Sequence, residues 1–239
     1  MKNKSSLINI LSITTKLFRY NTKIIFANKF IYFLVAAIIF FLTIATINIF
    51  SNPYQTEDDV YGLLLTTGIL LIFYPTTFGI QNDTDSRMLE IIFGIPNYRY
   101  KVWLVRLVMI FLINSLILLA LSYLSSFALV QFRVFEMVFQ IMFPIIFLGC
   151  LAFMFSTLIR NGNGTAVAIV IIGLLFLIFS DILEESKWNI FLNPYNMPSD
   201  MNETIWHEIC LKNRLYLLTG GILSVLYGLF NLQKREKFV

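Results

Sequence analysis

Asp83–Arg106, DTDSRMLEIIFGIPNYRYKVWLVR, is the stretch on which the architecture turns. It separates two long apolar runs and is itself too polar to cross hydrocarbon. Met88, Ile91, Ile92 and Ile95 recur at i, i+3, i+4 and i+7, the spacing of one helix face. Asp83, Thr84 and Asp85 precede that face, where carboxylates and hydroxyls satisfy free backbone N–H groups and complement the helix dipole. Gly94 and Pro96 follow it and stop the helix. Tyr98, Arg99, Tyr100, Lys101 and Trp103 then form a basic and aromatic collar of the kind found where a chain enters a bilayer. The stretch predicts a short amphipathic helix on a membrane surface, tethered to spans at both ends and open to a soluble partner.

The flanking composition fits that placement. The chain has 239 residues, 58% of them hydrophobic and only 13% charged, with a mean hydropathy of +0.76. Soluble domains carry about a quarter charged residues. Here the apolar residues also come in blocks, which marks an integral membrane protein. Six runs approach the roughly 20 residues a helix needs to cross hydrocarbon. They lie at about 30–50, 60–80, 102–124, 138–158, 165–182 and 215–232, with the third extending toward Val130. Their unalternating pattern excludes barrel strands. The expected fold is therefore an all-α integral membrane protein, a single transmembrane domain over 1–239 with six transmembrane helices. Pro75 and Pro144 are expected to bend the second and fourth. Gly62, Gly68 and Gly79 in the second, and Gly220 and Gly221 in the sixth, allow close helix contact.

Charge sets the orientation. Lys2, Lys4, Lys16, Arg19, Lys23 and Lys29 fall on one side of the spans, with Arg87, Arg99, Lys101, Arg106, Arg160, Lys234, Arg235 and Lys237. The other side holds Arg133, Lys187, Lys212 and Arg214. That division is 14 against 4 of the 18 basic residues, so the first side is cytoplasmic, both termini included. Leu7, Leu11 and Phe18 with surrounding lysines predict an amphipathic N-terminal interfacial helix on an anionic leaflet. The excess of +4 bears on orientation rather than on nucleic acid. The outer segment Leu183–Asn213 is too apolar for a free loop and too broken for a seventh span. Short interfacial or re-entrant helices are expected there, turning at Asn193-Pro194 and Met197-Pro198.

Several chemistries are excluded. No GxxxxGK[ST] is present, so the chain does not bind ATP through a P-loop. Gly162-Asn163-Gly164-Thr165 lacks the lysine and is expected to be a turn between spans. Glu184-Glu185 resembles the paired glutamates of glutamate-type membrane proteases, but Trp188 and Asn189 follow where the accompanying groups would be sought. The only histidine, His207, lies outside the spans, so neither a serine–histidine pair nor a metal site can be assembled. Cys150 and Cys210 lie in settings that do not suit a disulfide. Asp181 and Arg106 sit near span ends and are expected to snorkel to water. Otherwise only neutral polar residues such as Asn48, Thr66, Thr67, Asn114 and Ser115 enter the spans. Ion-coupled carriers place acids or unwound helices near mid-membrane, so driving energy is expected from elsewhere.

The layout resembles the permease subunits of type-2 ABC transporters. The local likeness is Arg87-Met88-Leu89-Glu90-Ile91-Ile92-Phe93-Gly94-Ile95-Pro96 followed by Arg99. Asn193-Pro194-Tyr195 is similar to that family's outer proline motif, and the closing Asn-Leu-Gln-Lys-Arg-Glu-Lys to its basic tail. The resemblance implies a membrane subunit of an ATP-driven exporter in the bacterial cytoplasmic (cell inner) membrane, not catalytic by itself. It implies a cytoplasmic coupling helix between spans two and three, on which Arg87, Met88, Glu90, Ile91, Ile92, Ile95 and Arg99 dock a separate ABC ATPase subunit. ATP and Mg would be held on that partner, with no cofactor on this chain. A second permease, identical or not, and membrane lipid are the other implied partners. Phe73, Tyr74 and Phe78 are candidates to line a path for an apolar or amphipathic substrate. The competing expectation is a membrane scaffold or assembly factor whose cytoplasmic helix binds a partner without transport.

Overall fold

The computed structural model describes residues 30–51, 54–95, 97–179, 182–183 and 186–233. The expected N-terminal interfacial helix, Pro96, Asp181, Glu184-Glu185 and the basic tail Lys234, Arg235 and Lys237 lie outside the described residues. Of those described, 81% are helical and none is in a strand. The helices are α1 Phe30–Ser51, α2 Glu57–Thr77, α3 Gly79–Asp85, α4 Met88–Gly94, α5 Val105–Ala128, α6 Val134–Ile159, α7 Gly162–Ile178 and α8 Glu203–Asn231. A π-helical turn, Arg99–Leu104, leads into α5.

Five helical stretches are long and apolar enough to cross a membrane: α1, the α2–α3 stack, the π turn with α5, α6 and α8. This is a multi-pass membrane protein. Its outward surface agrees, because Ile39 and Leu42 on α1, Leu112 and Leu116 on α5 and Leu226 on α8 are all exposed. Apolar faces of that extent are stable in hydrocarbon, not in water. α7 has 17 residues, about 25 Å of rise against a hydrocarbon core of about 30 Å. It nevertheless runs along the α2–α3 stack. Gly162 N–H donates to Gln81 Oε1 at 2.5 Å at one end, and Leu177 shares a cavity with Tyr61 at the other.

α6 is the hub, packed on α2, α5, α7 and α8, while α1 packs on α2. Met137, Ile141 and Ile145 recur every four residues on α6 and are fully buried, as are Tyr61 and Leu64 of α2 and Leu118 of α5. Lipid is as apolar as leucine, so such contacts hold through close packing rather than through escape from water. Glycine permits the closest approach. A side chain at Gly68 of α2 would strike Ile145, and one at Gly149 of α6 would lie 2.6 Å from Ile72. The two helices thus exchange knob for gap, one turn apart. Gly62 and Gly79 have open space around them instead and make no such contact, because each borders a gap between helices rather than a packed side chain.

α6 and α8 lie side by side and parallel. Arg214 Nε donates to Gln140 and Asn231 Nδ2 donates to Thr157 O, both with an offset of 74 residues. Gly220 and Gly221 fall between them against Phe147. α8 has 29 residues, about 43 Å of rise, so it overshoots hydrocarbon by several turns. This corrects the expected short helices before the last span. Residues 186–202 form turns, and Glu203–Asn213 is the first part of α8 itself. Asn202 starts that helix by accepting from Thr204 N–H at 3.2 Å. Gly162–Thr165 is likewise the first turn of α7, capped by Asn161, with the reversal made by left-handed Arg160. Pro75 and Pro144 both sit inside helices. After Pro75, the Thr76 and Thr77 hydroxyls donate to Ile72 O and Phe73 O at 2.8 and 2.6 Å, satisfying carbonyls near the gap that proline leaves.

Candidate functional site

The bundle has two polar ends. One is the Asp83 end, where α3, α4, the π turn, the end of α6 and the end of α8 meet. The described Arg87, Arg99, Lys101, Arg106 and Arg160 all belong to it, and Arg133, Lys187, Lys212 and Arg214 to the opposite end.

The Asp83 end is built around α4. Asp83–Asp85 do not cap it, as the sequence suggested; they are the last turn of α3. The helix hydrogen bonding of α2 continues across Phe78, with Phe78 N–H donating to Tyr74 O and Asn82 N–H to Phe78 O. Arg87 makes the turn into α4 with φ at 55°, a left-handed geometry that costs a non-glycine residue roughly 1 kcal/mol. The expected face also divides. Leu89, Ile92 and Phe93 are buried, while Ile91 is 66% and Ile95 37% exposed, and Met88 is intermediate. An apolar run of Ile-Ile-Phe offers two possible stripes. The cluster formed by Ile80, Tyr98, Trp103, Leu107, Phe153 and Leu232 selects the one containing Leu89 and Phe93.

The π turn completes this seat. In an α-helix Tyr98 would share its face with Val102. The wider turn, i to i+5, places Trp103 there, and both Tyr98 and Trp103 are buried. Tyr98 O–H donates to Leu232 O at 2.5 Å, and Arg99 Nη1 to Leu229 O at 3.5 Å. Arg99 therefore ties back onto α8 rather than standing beside Arg87 and Glu90, which are exposed. Arg106 does not snorkel. It is 7% exposed, bonds Asp83 Oδ2 at 2.6 Å and lies over the Trp103 ring at 4.8 Å. Its carboxylate partner sits on α3, across α4 and the π turn in sequence, and burial without a counter-charge would be costly for either group.

Of the three candidate path residues, only Phe73 lines a large cavity. That cavity holds about 610 Å³ between α2 and α7, with Leu65, Ile69, Ile169, Val170 and Leu174 in its apolar wall. Tyr74 is buried in a stack between Phe33 and Phe78, at 4.7 and 5.2 Å between centroids, and its hydroxyl accepts from Asn82. Tyr74 and Phe78 are engaged in that stack, whose outer member Phe33 borders the cavity.

The opposite end is organised by Arg214, which sequence reasoning left as one of four outer cations. It is 6% exposed. Its Nε donates to Gln140 Oε1 and its Nη1 to Asn213 Oδ1, both at 2.9 Å, and its Nη2 to Tyr61 Oη and Leu192 O, both at 3.3 Å. Asn213 in turn donates to Lys187 O and Asn189 O, and Trp206 Nε1 donates to Pro194 O at 3.0 Å. Asn193 closes the set on Asp58. The non-helical segment 186–202 is thus held down by side chains from α2 and α8, which donate to its backbone carbonyls, while Gln140 of α6 orients Arg214. Among the described residues no group of three or more His, Cys, Asp and Glu side chains assembles for a metal; His207 lies on α8, and Cys150 and Cys210 are free thiols. Compared with protein-family models, curated proteins and solved structures, the chain has no significant match to any.

Proposed function

We propose that the chain is the membrane subunit of an ATP-driven exporter of the type-2 ABC class. In this reading α7 is the fifth of six spans, the Asp83 end is cytoplasmic, both termini are inside, and the host is a bacterial cytoplasmic membrane. A separate ATPase subunit carries ATP and Mg and docks on α4, and a second permease completes the transporter.

The observation that carries the reading is the divided surface of α4. Leu89, Ile92 and Phe93 fix the helix to residues of the π turn, α5, α6 and α8, while Ile91 and Ile95 stand exposed one turn apart, flanked by Arg87 and Glu90. Covering such isoleucines is worth roughly 1.5–3 kcal/mol each, and the neighbouring charges set the register of a partner. A pull or push on this helix acts directly on the ends of several spans. The apolar cavity beside Phe73 fits an apolar or amphipathic substrate.

Two experiments test this. In a variant with Cys150 and Cys210 replaced, a cysteine at Ser86 is expected to resist an impermeant thiol reagent added to intact cells; rapid labelling places α4 outside and rejects the reading. Glu90→Lys is expected to release a co-purifying P-loop ATPase without changing the yield of folded chain. Undiminished association removes α4 from the docking surface.

A further inference from the structure

At the Arg214 end, α6, α8 and the 194–197 turn enclose an open cleft of about 600 Å³. Its chemistry changes in order along the helices. Because α6 and α8 are parallel with a constant offset, each α6 residue marks a level on both. Glu136, half exposed, lies at the level of Cys210. Gln140 and Arg214 lie one turn deeper, about 6 Å along the axis. Phe143, Leu215 and Leu218 line the wall below them.

Arg214 is the informative residue. Its four hydrogen bonds all go to neutral oxygens, and no carboxylate lies within ion-pair distance of it among the described residues. A buried cation without a counter-charge favours an anion in the adjoining space. The nearest acidic level is the opposite requirement: among the described residues Glu136 is engaged only by Arg133 at 3.5 Å, an exposed pair of little strength. Carboxylate, then cation, then apolar wall is the order that a zwitterionic lipid complements from its amine downward.

We propose that this cleft binds one phosphatidylethanolamine-type lipid, its phosphodiester on Arg214, its ammonium beside Glu136 and its acyl chains along Phe143, Leu215 and Leu218. A small free anion is disfavoured by Glu136 and Glu203 at the rim, and a choline headgroup has no N–H to offer Glu136. This inference does not depend on the transport reading.

The test is native mass spectrometry of the full chain, purified in detergent and offered equal amounts of phosphatidylethanolamine, phosphatidylcholine and phosphatidylglycerol. The wild type is expected to retain the ethanolamine lipid over the choline lipid by about tenfold, the worth of one charge-assisted hydrogen bond. Glu136→Gln, on an exposed site outside the Arg214 network, is expected to bring that ratio near one. Leu215→Trp, which fills the cleft, is expected to abolish retention of all three. Equal retention of the three lipids, a preference for phosphatidylglycerol, or an unchanged ratio in Glu136→Gln overturns the proposal. So does displacement of the lipid by millimolar inorganic phosphate, which would assign the site to a free anion.

Discussion

Arg106 and Arg214 are both more than nine-tenths buried, at opposite ends of the bundle. Arg106 is neutralised by Asp83 and backed by an indole face. Arg214 is surrounded by two side-chain amides, a phenol and a backbone carbonyl, with a phenylalanine ring at 5.7 Å. The first arrangement joins α3 to α5 by one short ionic contact. The second spreads a charge over neutral dipoles from α2, α6, α8 and the 186–202 turns. A paired charge makes a stiff joint, and stiffness suits an end that transmits force. A charge shared among neutral acceptors secures a loop and leaves positive potential for whatever occupies the cleft beside it.

The difference can be broken in graded steps. Asp83→Ala strands Arg106 and is expected to cost roughly 3–5 kcal/mol, read by unfolding in detergent. Adding Arg106→Met should recover most of that loss; failure to recover it means the pair is not what Asp83 contributes. Arg214→Met removes its own desolvation cost together with its bonds, so about 1–2 kcal/mol is expected. Its signature is local: faster proteolytic cleavage within 186–202, with the Asp83 end unaffected. Arg87→Gly relieves the left-handed turn and is expected to stabilise by up to about 1 kcal/mol. It also removes a rim charge of α4, so a stabilised protein with weakened partner binding separates folding from docking at that end.

Much of this was legible in the chain. The long apolar runs gave the helices that can cross a membrane, because in lipid a helix satisfies its own backbone and about 20 apolar residues suffice to span. Among the described residues, the two sets of basic side chains fall at the two ends of the bundle. The run Ile91-Ile92-Phe93 leaves open which stripe of α4 is buried, and Asp83–Asp85 look like its cap. Those residues belong to α3, since helical bonding survives the short break at Phe78. Asp83 and Arg106 meet only because the chain reverses through α4, and no local spacing announces a pair 23 residues apart. The outer segment was misread for a different reason. Its apolar residues are anchored by side chains on distant helices that donate to its carbonyls, and such acceptors carry no residue signature. The second half of that segment looks too broken for a span because it is the polar-flanked first part of α8, a helix longer than hydrocarbon requires.

The exposed isoleucines of α4 are where the coupling proposal stands or falls. Purify the full chain from its native membrane with its associated proteins, reconstitute it in vesicles, and measure vanadate-sensitive ATP hydrolysis for the wild type and Ile91→Asp. The coupling reading expects hydrolysis to accompany the wild type and to fall at least about tenfold in the variant, as loss of one buried isoleucine and burial of a charge requires. Equal hydrolysis in both, or none with either while the chain remains folded, contradicts it.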